Sequence, residues 1–380
     1  MYEGLITSVD GFPDRVASAI ASLAGEAREE LRRCERAGTF PRGLYREMGR
    51  RGWLAPFAPA DAGGLGGGIA EYCVIAEEVA RHSLVSPQIS TQGQRWLMDW
   101  GTPEQQEKYL GPIARGEMIF SESISEPGVG SSLKQMRATA RRDGSDWILN
   151  GRKTHVNLGH QSDVTMVFAM TGEGLSAFLV DMALPGVKSE QTDPIGLRLI
   201  PTADMWFDDV RLPATSVFGE PGRGMDTFLS TFNVSRLGNA SELIGFGRRA
   251  LAHAIDYAKT RQVGEHLVTD FQGIQWVVAD RWADLLAAAG VRNQAASVLD
   301  RGLDPALSTS VAKKLAIDAA ERAVNESFAL VGGHGLYTSA DFGQLLHDVK
   351  VLRIAGGSVE VLRNYIARRV LRSATYEGLA

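Results

Sequence analysis

The sequence predicts an α+β protein in three successive parts: a helical N-terminal domain over 1–118, a central β domain over 119–222, and a C-terminal four-helix bundle over 223–380. Three observations carry that reading. Apolar residues recur at helical spacing up to residue 118, then give way to alternation and short apolar runs bounded by Gly, Asp and Pro. Beyond 222 the helical period returns. It runs in long stretches with few breaks, which is the pattern of a bundle.

In the first part, Val16, Ile20, Leu23, Leu31 and Cys34 fall on one helical phase, and Pro41 opens a further helix after a turn. The run ADAGGLGGG, ending at Gly68, reads as a flexible connection between helices. A phosphate cradle fits it less well, because no strand precedes it and no P-loop lysine follows. The next segment, IAEYCVIAEEVARHS, is helical again. In the middle part, DWILNGRKTHV, DVTMVFAMT, LSAFLVDM and ADMWFDDVRLP read as strands. The last part is carried by FGRRALAHAIDYAKTR, FQGIQWVVADRWADLLAAAGVRNQAASVL and SVAKKLAIDAAERAVNESFALVGG.

Composition narrows the function. The chain has 380 residues, enough to enclose a cofactor, and a net charge of -5 that argues against nucleic acid as its main partner. Its two cysteines, Cys34 and Cys73, lie on the apolar phase of helices and read as buried thiols, so neither a disulfide nor a metal site is expected. The segment MYEGLITSVDGFPDR has no charged start followed by a long apolar run, and no apolar stretch is long enough to span a membrane. A cytoplasmic protein is expected.

One stretch does not fit a plain helix. LLHDVKVLRIAGGSVEVLRNYIARR, residues 345 to 369, breaks a good helical pattern at Ala355-Gly356-Gly357-Ser358. Interior glycines cost roughly 0.5 to 1 kcal/mol each relative to alanine, so a bend or a close ligand is the natural explanation.

Six stretches in order now carry a resemblance: SISEPGVGSS (123–132), LNGRKTHVNLG (149–159), FDDVRLP (207–213), RQVGEHLVTDFQ (261–272), LVGGHG (330–335) and the broken helix at 345–369. The chain resembles the acyl-CoA dehydrogenase family of flavoproteins along nearly its whole length. The resemblance implies one FAD per chain, bound between the β domain and the bundle, with a neighbouring subunit covering its adenosine end. Ser125 would hydrogen-bond the isoalloxazine ring, and Ile124 would present backbone to it. His155 occupies the family's tryptophan position and reads as a flat filler. Asn157 stands where the family has a threonine, and an amide can make the same bond. Gly332 and Gly333 would let backbone approach the pyrophosphate. Arg261 and Gln272 match residues that reach the FAD diphosphate from another subunit, a task suited to the fixed donor fork of arginine. After that arginine the family has Phe-Gly and this chain has Val263-Gly264-Glu265, so an aromatic contact to the adenosine is missing.

The same resemblance interprets the glycine bend. The family's IYEGTSEIQR is IAGGSVEVLR here, so Ser358 falls on the flavin-bonding threonine and Gly356 on the glutamate that removes the substrate's α-proton. Some members carry that base one residue before an arginine in the first long C-terminal helix, where this chain has Ser235-Arg236. Serine is no base near neutral pH without help. A positioned base contributes about 10²–10⁴ in rate, so its loss from both positions matters. Glu122 is the replacement candidate, because burial could raise its pKa; a solvated or salt-bridged carboxylate is the plainer reading. Glu126 and Glu360 match acids that relatives also have, and Glu242 is expected to face elsewhere. Gly130, Ser131, Arg236, Ala355 and Gly356 are expected to contact substrate.

Three functions follow from the resemblance. The first is FAD-dependent α,β-dehydrogenation of an acyl thioester, on CoA or an acyl carrier protein, in specialised or polyketide metabolism. The second is a flavin oxidase or monooxygenase on the same fold. The third is a non-catalytic FAD-binding subunit of a mixed oligomer. The intact Gly130-Ser131 turn favours the first. The expected electron acceptor is an electron-transfer flavoprotein or dioxygen, and the expected assembly a homodimer or homotetramer.

Overall fold

The computed structural model describes residues 1–2, 7 and 10–372. Expectations that touch 3–6, 8–9 and 373–380, including part of the leader reading and the end of the bundle, lie outside the described residues. Among the described residues the N-terminal part has six α-helices: α1 (Phe12–Glu26), α2 (Arg28–Ala37), α3 (Arg42–Arg50), α4 (Ile69–Arg81), α5 (Gln88–Trp100) and α6 (Pro103–Ala114). Their starts follow local chemistry. Thr102 caps α6 by accepting from the Gln105 amide (3.3 Å) while the Gln105 side chain accepts from the Thr102 amide (3.1 Å), with Pro103 just inside the helix. Cys34 and Cys73 are buried free thiols.

The glycine run before α4 corrects the expectation of a flexible connection. Its backbone is laddered against the preceding segment, with Leu65 N–H on Ala55 O (3.0 Å), Gly66 on Ala58 (2.8 Å) and Gly67 on Pro56 (2.8 Å). A side chain at Gly64 would overlap the carbonyls of Ala55 and Ala58. These glycines serve close backbone approach.

The middle part is one sheet. Its strands are β1 (Phe120–Ser123), β2 (Thr139–Asp143), β3 (Asp146–Asn157), β4 (Val164–Thr171), β5 (Gly174–Asp181), β6 (Val187–Gln191), β7 (Thr202–Leu212) and β8 (Val217–Phe218). They lie in the order β6-β7-β3-β2-β4-β5-β8, and β1 runs parallel to β4 along its first half, Phe120 opposite Val164. Apart from β1–β4 and a single β2–β4 pairing at Thr139–Met170, the pairings are antiparallel, so no doubly wound parallel sheet is present among the described residues. Covered on both faces, β4 is buried from Val164 to Ala169, which is why it reads as an unbroken apolar run.

The C-terminal part begins with α7 (Gly224–Ser230) and α8 (Phe232–Ala258). A two-stranded hairpin, β9 (Gln262–Val263) with β10 (His266–Leu267), leads into α9 (Gln272–Asp300) and α10 (Ala306–Val331). The fourth position of the bundle is filled by two helices, α11 (Phe342–Ile354) and α12 (Val359–Arg372), separated by the glycine bend. Alanine-rich faces of α8, α9 and α10 form its core, including Ala250, Ala289, Ala316 and Ala320. The N-terminal helices are clamped to it by a fully buried ion pair, Glu77 on α4 to Arg292 on α9 (2.8 Å). No helix among the described residues is long and apolar enough to cross a membrane.

Candidate active site

The SEP turn is built around a buried charge. Glu126 and Val129 exchange two backbone hydrogen bonds (3.0 and 2.9 Å) across Pro127-Gly128, with Gly128 at φ 85°, the conformation a type II turn requires there. The Glu126 carboxylate accepts from the amides of Arg137 (2.7 Å) and Ala138 (2.9 Å) and from Lys153 Nζ (2.8 Å). Lys153 is fully buried on β3 and also donates to the Ile124 carbonyl (3.1 Å). Burial alone would raise the Glu126 pKa, but Lys153 and the two amides outweigh it and hold the carboxyl low. Burial pulls Lys153 down to about 8 against the opposing pull of Glu126. The Thr154 amide then donates to the Ser125 carbonyl (2.9 Å). The carbonyls of Ile124 and Ser125, both half-buried residues, are thus held from one strand, by the Lys153 side chain and the Thr154 amide, and Gly130 and Ser131 stand exposed just beyond the turn.

That strand changes phase next to the turn. The β3–β7 register shifts between Lys153 and Val156, and His155 between them adopts a left-handed φ of 56°. A non-glycine residue there costs of order 1–3 kcal/mol and collects at functional sites. The bulge buries Lys153 and Thr154 in succession and turns His155 and Asn157 outward, both exposed. Thr154 donates to Asp204 (2.5 Å) and fixes the bulge to β7.

Glu122 precedes the turn on β1. Its neighbours Ser121 and Ser123 face Ser162 (3.0 Å) and Thr165 (2.8 Å), so Glu122 shares the opposite face with Phe120, whose ring packs among Trp96 and Phe168. The reading of Glu122 as a solvated or salt-bridged residue is corrected. It is half-buried, has no hydrogen bond or ion pair among the described residues, and burial raises its pKa to about 7.

The two vacated base positions meet at one point. Gly356 and Gly357 have φ of 64° and 91°, and a Cβ added at Gly356 would overlap Asn239 Nδ2 and lie 3.3 Å from Lys313 Nζ and 3.5 Å from Ser235 Oγ. Lys313, fully buried on α10, holds the bend by donating to the carbonyls of Ala355 and Gly357 (3.1 Å to the latter). Ser235 accepts from Gln88 Nε2 (2.8 Å). Ala355 and Ser358 are half-buried on either side. Lys313, Asn239 and Gln88 were missed in the sequence, where only their helical phase showed.

Glu242 also departs from expectation. Seven residues are nearly two helical turns, so it lies on the same stripe of α8 as Ser235. Ser86 donates to Glu242, and its hydroxyl accepts from the Gln88 amide (3.3 Å), so a chain of bonds runs back to Ser235. Glu242, Glu35 and Asp348 line a cavity of about 30 Å³. Burial raises Glu35 and Glu242 to about 7 and Asp348 to about 6. Because these folded pKa values exceed the unfolded ones, stability falls as pH rises from the unfolded values towards about 7. Glu242→Gln should therefore raise the melting temperature near pH 8, by up to roughly 3 kcal/mol of stability, and change it little near pH 5. Melting curves at the two pH values check this.

Arg261, Gln272, Gly332 and Gly333 form a separate exposed group. The Val268 amide donates to the Arg261 carbonyl (2.9 Å), closing the hairpin that brings Arg261 and Gln272 to its base. His334 stacks on Tyr257 (5.2 Å), one turn before Arg261, and so places the glycine turn at the same end of the bundle. A Cβ at Gly332 or Gly333 would meet nothing within 4 Å, so the space beside them is open to an outside group. No hydrogen bond or ring contact among the described residues joins this group to Ser125, His155 or Ser358. No group of residues fit to hold a metal ion occurs among the described residues.

A helical domain, a β domain with a charge-anchored SEP turn and a helical bundle, in that order, are the three domains of a known class of flavoprotein oxidoreductases. The chain belongs to the acyl-CoA dehydrogenase family: the N-terminal, middle and C-terminal domain models of acyl-CoA dehydrogenase match residues 16–117, 121–210 and 222–371. The 3-(aryl)acrylate reductase of Clostridium sporogenes is 33% identical over 350 residues, covering 89% of this chain and 92% of the relative. Subunit CarC of the caffeyl-CoA reductase-Etf complex of Acetobacterium woodii is 32% identical over 356 residues, covering 90% and 93%. A glutaryl-CoA dehydrogenase from Mycobacterium smegmatis, solved in complex with FADH2, superposes with a TM-score of 0.91 at 25% identity, covering 97% of each chain. The family is FAD-dependent, and this chain is an FAD-dependent acyl-CoA dehydrogenase-like oxidoreductase.

Proposed function

We propose that the chain carries out α,β-dehydrogenation of an acyl thioester with its proton acceptor moved from both usual positions. The observation that carries this is the combination at the site: the turn that holds Ile124 and Ser125 is intact and anchored, while Gly356 and Ser235 together offer no carboxylate. Ser125, His155, Asn157 and Ser358 would hold the ring of FAD, and Arg261, Gln272, Gly332 and Gly333 its diphosphate end. When bound, FAD supplies the hydride acceptor. Glu122 takes the α-proton in this reading, because it is the partnerless carboxylate next to the turn and titrates near neutrality.

The separation of the two cofactor groups supports a shared site, with one subunit's Arg261 group completing another's ring site. Exposed apolar residues on α9, Trp276 (60%) and Trp282 (51%), the latter lining a groove of about 380 Å³, support self-association there. Arg261→Ala is expected to weaken FAD binding about tenfold or more with the fold intact, since the side chain is exposed and its charge-assisted bonds go only to the ligand. Flavin content after dialysis, with circular dichroism as control, checks it.

Electrons would pass to an electron-transfer flavoprotein, in line with the relative from an Etf complex. The test is anaerobic addition of acyl-CoA and acyl-carrier thioesters to the holoprotein. Bleaching of the flavin supports dehydrogenation. Rapid reoxidation in air would favour an oxidase, and no bleaching by any thioester would favour a non-catalytic subunit. Restoring the family residue by Gly356→Glu alone would strain a left-handed position and collide with Asn239.

A further inference from the structure

The walls around Gly356 carry positive charge without a counter-ion. Arg236, 7% exposed, lies 4.5 Å from the Phe232 ring and donates one weak bond to Asn233 (3.3 Å), while its Nε has no partner. Lys313 donates only to two carbonyls at the end of α11, which offer partial charges. Neither cation has a carboxylate within ion-pair distance among the described residues. Asn239, 1% exposed on the same face of α8, has both Oδ1 and Nδ2 unpartnered. Buried polar groups are ordinarily bonded, and buried charges ordinarily paired. Burial lowers the pKa of both cations, Lys313 to about 7 with further help from Arg236, which is the response of charges lacking an anion.

We propose that the acyl group of the substrate carries a carboxylate, which seats on Arg236 and Asn239 beside Gly356. The substrate is thus a monothioester of a dicarboxylic acid, a conclusion that rests on the acyl-thioester reading above. With no side chain at Gly356, the unpartnered Asn239 amide stands against the bend in the space a side chain would take, and the ligand brings the negative charge that this wall lacks. A guanidinium and an amide give a carboxylate charge-assisted and neutral donors together, and Lys313 adds a third source of positive potential. A plain alkyl chain would leave the same donors unpaired, which is how a polar site rejects an apolar analogue.

The test compares CoA monothioesters of four- to six-carbon diacids with monoacid thioesters of the same length, read by perturbation of the flavin spectrum of the holoprotein. At least one diacid should bind about tenfold tighter than its monoacid partner. Asn239→Asp places a carboxylate among the cations; it should abolish that preference and raise the melting temperature. Equal binding of diacids and monoacids by the unaltered protein would overturn the inference and leave the thioester reading standing. Failure of every thioester to perturb the flavin would overturn the thioester reading and this inference with it. A melting temperature lowered by Asn239→Asp would count against the unpaired positive charge.

Discussion

Replacing Lys153 with methionine is expected to cost about 3–5 kcal/mol, because it strands the Glu126 carboxylate in a buried site with two amides and no cation. The loss reaches the cofactor. Lys153 also holds the Ile124 carbonyl, and Thr154 next to it holds Ser125, so the turn that presents both residues loosens together. Flavin should dissociate more readily, and the melting temperature should fall. Lys153→Met combined with Glu126→Gln removes the charge on both sides and should recover part of the stability, the coupling that a double-mutant cycle measures. Equal stability of the unaltered protein and Lys153→Met would contradict the role given to this pair.

Glu122→Gln is expected to lower the rate of flavin reduction by about 10²-fold or more while FAD stays bound, since the amide keeps the shape and loses proton acceptance. The pH dependence gives a second signature. With its pKa raised to about 7, Glu122 is mostly protonated below neutrality and becomes a base above it. The reduction rate of the unaltered protein should therefore rise with pH through about 7 and level off, and the variant should lack that rise. An unchanged rate in Glu122→Gln would end its candidacy and strengthen the reading of a non-catalytic subunit.

The parts legible in the sequence were those whose residues answer to periodicity. β3, β4, β5 and β7 read from their apolar pattern, and the long helices from their phase. β1, β2 and β6 did not, for particular reasons. In β1 one buried face is serine, satisfied by hydroxyl pairs with Ser162 and Thr165, and the other pairs Phe120 with Glu122, so no apolar alternation marks it. TARRD in β2 and VKSEQ in β6 are largely exposed and carry charge where a strand signal would sit. The bend at Gly356 was visible as a break in a helix, but its surroundings come from three elements far apart in sequence. Asn239, Lys313 and Gln88 each look like an ordinary helical polar residue until the fold places the first two against one glycine and the third on the Ser235 hydroxyl beside it. Glu242 is a different case: it lies almost two turns beyond Ser235 on the same helix, a spacing that keeps it on the same stripe rather than facing elsewhere.

The central claim, removal of two hydrogens from an acyl thioester, is tested most directly by the mass of the product. Holoprotein incubated with a thioester and an artificial electron acceptor should yield a 2-enoyl thioester two mass units below its substrate, with the acceptor reduced in equal amount. A product heavier by one oxygen, formed only in air, would contradict the claim in favour of oxygenation. A thioester recovered unchanged, across monoacid and diacid substrates that do perturb the bound flavin, would contradict it outright.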